Sequence, residues 1–255
     1  MRDTSPSYYK KMWDTLALLS KHKKEINAVC AKVRSGQGQY SVVESVTKVP
    51  WYVVGIIHQM ECSGDWSRNI ANGQPWNKVT TITPAGRGPF ESWRDAAIDA
   101  MTLLSDVFPS IWTVESISKY FENYNGMGYA KHNVNSPYLY SFSNNGVGVG
   151  KYVGEKPGVP AHYDSNAVSD QCGAITILYR LVSDKICSVP YSNDIEDIKI
   201  IYNPKNVNEE AKKYQKFLND SFGFKLAVDG KCGIKTSDAH KKVFGQFLFG
   251  DKRSV

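Results

Sequence analysis

The residues with the clearest chemical potential lie in one run, His58-Gln59-Met60-Glu61-Cys62-Ser63-Gly64-Asp65. Glu61 ends an apolar segment that opens at Pro50 and carries Trp51, Val53, Val54, Ile56, Ile57 and Met60. Read as a helix, the segment places Glu61 at a C-terminal end, where the helix dipole opposes a negative charge. Apolar neighbours oppose ionisation as well, so both effects raise its pKa. A carboxylic acid that stays protonated near neutral pH can protonate a leaving oxygen, which is the step glycoside cleavage requires. Capping or ion pairing at a helix end is the plainer role for such a glutamate.

The second group that such chemistry needs is less marked. Asp65 is the nearest carboxylate along the chain, and a turn or cap role suits it equally. Thr80 and Thr81 offer hydroxyls that could position a water, although neighbours on a strand face opposite sides. Tyr124, Asn125, Tyr129, Ser136, Tyr138 and Tyr152 fall in a region rich in Gly, Asn, Ser and Tyr. Sugars present polar edges and flat C–H faces, so tyrosines and amides suit a sugar-binding groove. Core packing is the alternative for any one of these tyrosines. His58, one turn before Glu61, reads as a structural hydrogen-bonding histidine. His132, His162 and His240 are scattered without zinc spacing, so neither a metal nor another cofactor is expected. Neither a GxSxG elbow nor a P-loop is present.

These residues must be held by an ordinary folded chain. It has 255 residues, 42% hydrophobic and 22% charged, which excludes disorder and collagen-like repeats. No run approaches the ~18–20 apolar residues of a membrane helix, and no apolar export core follows the first residues. Five widely spaced cysteines form no disulfide framework and no CxxC pair, so mostly buried free thiols are expected, with one disulfide still possible. The net charge of +6 is uneven. Residues 204–255 hold 11 Lys+Arg against 6 Asp+Glu, or +5, leaving +1 for the rest. A basic C-terminal part suits a polyanionic partner, and a solvated lysine-rich surface is the bland alternative.

Periodicity predicts a helix over 8–34, a short one over 40–47, and a buried one from Pro50 to Cys62. Asn72-Gly73 and the Thr-rich run Val79-Thr80-Thr81-Ile82-Thr83 predict a β-hairpin directly after it. Helices are expected over 91–106, 112–123 and 165–183, with a long structured loop over 124–163. A strand is expected at 198–202. The last ~45 residues show two helical stripes about an Asp229-Gly230 turn.

A helix ending in Glu-Xaa-Ser before a hairpin resembles the active-site opening of the lysozyme superfamily, and phage endolysins in particular. The matching segments run in order from Pro50-Trp51 through Ile57-His58, Glu61 and Asn72-Gly73-Gln74-Pro75. They continue with Thr80, Pro84-Ala85-Gly86-Arg87, Trp93, Tyr124-Asn125-Gly126-Met127-Gly128-Tyr129 and Ser136-Pro137-Tyr138-Leu139-Tyr140. The last are Gly150-Lys151-Tyr152-Val153 and Ala167 to Ala174. The resemblance implies cleavage of peptidoglycan between amino sugars with Glu61 as general acid. It places the Tyr-Asn-Gly and Ser-Pro-Tyr segments near the cleft. Related chains often carry Asp after the hairpin Asn-Gly. This chain has Gln74, which cannot act as base or nucleophile, and that leaves hydrolysis and transglycosylation both open.

The segment Ala211-Lys212-Lys213-Tyr214 through Asp229-Gly230-Lys231-Cys232-Gly233-Ile234-Lys235-Thr236 resembles a three-helix peptidoglycan-binding module, with Thr236 as a candidate cap of its last helix. The expected fold is therefore mainly α (α+β). It comprises a lysozyme-like helical domain over 1–188, with a small β-hairpin at the site, and a linker plus small three-helix binding domain over 189–255. The implied function is an endolysin of muramidase type. A lytic transglycosylase and an inactive wall-binding protein are the alternatives. The expected partner is bacterial peptidoglycan, with no nucleic acid, no membrane anchor and a monomeric state. Such a protein would stay in the host cytoplasm until the membrane is permeabilised, then reach the wall from the periplasm.

Overall fold

The computed structural model describes all residues except 104–108, 110–111, 155–159, 191–199, 245–246 and 254–255, and at 220, 221 and 244 the backbone alone. Eleven α-helices and one two-stranded antiparallel sheet lie among the described residues, so the fold is mainly α with a minor β component. The chain divides into two compact units, Met1–Phe108 with Ile117–Cys187, and Pro109–Ser116 with Ser188–Val255.

The first unit is built around α4 (Trp51–Cys62), which is buried on almost every side. α2 (Lys23–Ser35), α3 (Gln37–Thr47) and α9 (Ala174–Ser183) pack against it, and α5 (Trp93–Leu103) packs on α3. Gly55 lets these helices close. A methyl group there would stand 2.7 Å from the Tyr40 ring and 2.9 Å from Val33. The Tyr40 ring therefore occupies the space that a side chain at position 55 would need.

The single helix expected over 8–34 is two, α1 (Pro6–Asp14) and α2, joined by a short 3-10 turn. The interruption has a tertiary cause. Asn144 accepts a hydrogen bond from Ala17 N–H and donates to the Thr15 carbonyl, while Leu19 N–H donates to the Phe142 carbonyl. These bonds take the backbone groups that a continuous helix would pair internally. The helix expected over 165–183 likewise begins only at Ala174, because Gly173 N–H is bonded to the Ser141 carbonyl and a Cβ on Gly173 would collide with Leu139. The helices expected over 91–106 and 112–123 form as α5 and as α6 (Val114–Asn125), with 104–106 outside the described residues. The long loop contains α7 (Gly128–Lys131), α8 (Pro137–Tyr140) and the sheet of β1 (Lys151–Val153) with β2 (His162–Asp164), whose register pairs Tyr152 with Tyr163.

The β-hairpin expected at the site is not a ladder. The Asn72-Gly73 turn does form, with Gly73 at φ +72°, Asn69 N–H bonded to the Gln74 carbonyl, and one bridge from Arg68 to Pro75. Residues 79–83 pair with no strand among the described residues. The Gln74 side chain takes their backbone groups instead, accepting from Thr81 and Ile82 N–H and donating to the Thr81 hydroxyl. Pro75, Pro84 and Pro89 bring no N–H to a ladder.

In the second unit, α10 (Glu209–Phe222) and α11 (Ile234–Phe244) close a small core of Ala211, Tyr214, Leu218, Cys232, Ala239 and Leu248. These two helices, not three, lie among the described residues of 200–253. Gln215 is buried and organises the turn between them, accepting from Gly230 N–H and donating to Asp229, the Lys231 carbonyl and Thr236. Thr236 lies inside α11 and is held by Gln215, so it does not cap the helix. Gly230 sits at φ +75° with the Asn208 carbonyl where a Cβ would go, which explains the Asp-Gly pair. The strand expected at 198–202 is reduced to a bridge between Ile201 and Phe249, and 198–199 lie outside the described residues.

Candidate active site

Glu61 stands on the last turn of α4, half-buried, with its helix stopped by Ser63 at φ +53° and Gly64 at φ +72°. Burial raises its pKa above the ordinary carboxylate value of 4.5. A hydrogen bond from the Tyr138 hydroxyl, 2.7 Å from Oε1, opposes the rise. Tyr124 is the second phenol of this cluster, close enough to feel the Glu61 charge, and its hydroxyl donates 2.9 Å to the Ile70 carbonyl. The Asn69–Gly73 turn closes the helix end. Cys62 Sγ bonds the Asn69 carbonyl at 3.4 Å, and a Cβ on Gly73 would stand 3.7 Å from the Glu61 carbonyl. Gln171 donates 2.7 Å to the Met60 carbonyl, satisfying one of the orphan carbonyls of the last turn.

The other expected site residues are distributed differently. Asp65 is exposed, and its carboxylate binds the Ser67 hydroxyl at 2.7 Å, Ser67 N–H at 2.9 Å and Arg68 at 3.2 Å. Those bonds, the Ser67 hydroxyl foremost, hold its pKa below the usual range. The Thr80 hydroxyl is buried, donating 2.6 Å to the Pro84 carbonyl and accepting from Arg87 N–H at 3.0 Å. Both groups thus brace loops. Asn125 is exposed at the end of α6, while Ser136 is fully buried before α8. Tyr129 and Tyr152 belong to an aromatic cluster with Tyr163 and His132. Tyr152 N–H donates to the Tyr129 hydroxyl at 3.2 Å, and His132 stacks on Tyr163 at 4.1 Å.

Sequence reasoning passed over Gln171, Arg68 and Tyr163. Gln171 lay inside a matched segment without a role. Arg68 had no signal, since its significance comes only from the turn it bridges. Among the described residues no three His, Cys, Asp or Glu stand together as a metal site, and no helix is long and apolar enough to cross a membrane. All five cysteines are free thiols.

The arrangement can do one thing well. A carboxyl group with a raised pKa, held by one phenol and beside another, can donate a proton to an oxygen brought against it. Comparison with protein-family models, curated proteins and solved structures found no match.

Proposed function

We propose that the chain cleaves the glycan strand of bacterial peptidoglycan as an endolysin, with Glu61 as the general acid. The observation that carries the reading is the half-buried Glu61 carboxyl at a helix end, its pKa raised by burial and its Oε1 fixed by Tyr138. In the protonated form Glu61 gives its proton to the glycosidic oxygen as the C–O bond breaks. Hydrolysis by water is the muramidase form of this reaction. One observation favours a second form, the lytic transglycosylase. Asp65 and Thr80, the groups nearest in sequence that could activate a water, are both engaged within their own loops. Attack by the sugar's own hydroxyl would then close an anhydro ring with a single glutamate at the site.

The second unit supports wall affinity in this reading. It carries the basic excess of the chain and the Asp229-Gly230 turn that resembles a peptidoglycan-binding module. Delivery follows the same proposal, with the protein held in the host cytoplasm until the membrane is opened. Mass spectrometry of fragments released from purified wall tests it. Reducing muropeptide ends indicate hydrolysis, and anhydro ends indicate transglycosylation. Bound but intact wall would leave only an inactive wall-binding protein, and intact, unbound wall would remove the proposal altogether.

A further inference from the structure

His58 is fully buried on α4, one turn before Glu61. Tyr40, Trp66 and Trp93 surround its ring, with centroids at 5.9, 4.6 and 4.7 Å. Its Nε2 lies 3.1 Å from the Asp65 carbonyl oxygen, which can only accept, so Nε2 carries the proton. Its Nδ1 is then the acceptor for the Tyr40 hydroxyl at 2.9 Å. Both ring nitrogens of the neutral imidazole are satisfied by one partner each.

The bond to the Asp65 carbonyl is the first of a series. Asp65 binds Arg68 at 3.2 Å through its carboxylate, and Arg68 Nη1 donates 2.8 Å to the Gly73 carbonyl. Gly73 N–H returns to the Asn69 carbonyl at 2.8 Å, and this turn closes against the Glu61 end of the helix. The Asp65 and Arg68 bonds are exposed, whereas the Asn69 that receives Gly73 N–H is buried. Surface pairs of this kind hold a loop weakly by themselves. The buried imidazole ties these exposed bonds to α4, beside the buried bond from Cys62 Sγ to the Asn69 carbonyl at the far end of the loop.

We infer that His58 is a positioning residue for Glu61, anchoring the Asp65–Gly73 loop, through Asp65 and Arg68, as the wall against which the acid works. The inference rests on the proposed role of Glu61. It assigns Asp65 to this brace and not to a second catalytic carboxylate. The Asp65 carbonyl sets the tautomer, Tyr40 donates to the nitrogen left bare, and Gly36 and Gly55 leave room for the Tyr40 ring.

The test compares His58→Phe, which keeps a ring and removes both hydrogen bonds, with His58→Gln, which keeps a donor and an acceptor. Two readouts are used on the full chain. One is amide exchange over 65–73, where Arg68, Asn69 and Gly73 N–H report the loop. The other is kcat and KM on soluble glycan fragments. A misplacement near 1 Å costs on the order of 10²-fold in rate. His58→Phe should therefore lower kcat about 10–100-fold with KM changed by less than about threefold. It should also speed exchange at those three amides at least about tenfold, leaving α2 and α9 unchanged. His58→Gln should recover most of both effects. If His58→Phe unfolds, Tyr40→Phe and Arg68→Met provide milder breaks of the same series and should speed exchange at Gly73. Unchanged exchange over 65–73 in the folded variants overturns the inference, as does a KM loss at constant kcat. If wild type cleaves nothing while the exchange results hold, the role proposed for Glu61 fails and the brace remains.

Discussion

The Tyr138 hydroxyl donates to Glu61 Oε1 at 2.7 Å, joining the first turn after Ser136-Pro137 to the last turn of α4 across 77 residues of chain. The bond restrains the carboxyl and favours its ionised form, while burial favours the protonated form and wins. The carboxyl is thereby held in one place while its pKa stays above the ordinary value.

Replacing Glu61 by Gln should abolish wall lysis and leave the fold intact. The change is isosteric and removes only the titratable proton. General acid catalysis contributes about 10²–10⁴-fold, so turbidity clearing should fall by at least about 100-fold while circular dichroism stays the same. Clearing within a few-fold of wild type would exclude Glu61 as the acid.

The pH dependence has a defined sign. The folded-state pKa of Glu61 lies above its unfolded value of 4.5, so its contribution to stability is full below about pH 4.5 and is lost as pH rises through the folded pKa. Wild type should therefore lose stability relative to Glu61→Gln across that interval, read as a widening Tm difference. The falling basic limb of kcat should track the same ionisation. In Tyr138→Phe the bond that lowers the pKa is gone, and the basic limb should move to higher pH. A limb that stays put or moves down would contradict this account.

Gly55→Ala should destabilise the protein despite the better helix propensity of alanine. The gain in propensity is about 1 kcal/mol, whereas overpacking a tight core costs about 1–3 kcal/mol. The new methyl would meet the Tyr40 ring at 2.7 Å, so the steric cost should prevail by up to about 2 kcal/mol. Urea denaturation decides it, and a midpoint equal to or above wild type would show that Tyr40 has room to move.

Arg2 should matter well beyond its place near the chain terminus. Its guanidinium is buried against Glu122, which is fully buried and also receives the Tyr9 hydroxyl at 2.6 Å. Arg2 N–H is bonded to the Ala130 carbonyl at 2.8 Å, and the guanidinium lies over the Tyr8 ring. Removing one partner of such a pair leaves an uncompensated charge, at about 3–5 kcal/mol. Arg2→Met should cost that much in thermal or urea unfolding, and Arg2→Met combined with Glu122→Gln should cost clearly less. Strictly additive losses would mean that the two groups do not act as a pair.

The sequence alone determined the features that depend on local pattern. The all-round apolar run from Trp51 to Met60 made α4 a buried helix, and Glu61 was legible as its last-turn carboxyl. The Asn72-Gly73 turn was legible too, because only the backbone freedom of glycine at φ +72° is needed to make it. Tertiary structure decided whatever depends on where backbone groups find partners far along the chain. Asn144 and Phe142 split the helix expected over 8–34, and the Gln74 amide took up the N–H groups of Thr81 and Ile82. The same holds at the site. That Tyr138 bonds Glu61 with Tyr124 nearby, while Tyr129 and Tyr152 pack with His132 and Tyr163, follows from helix packing over tens of residues. Spacing along a chain carries no record of such contacts, since hydrogen bonds are satisfied by whichever partner the fold brings within reach.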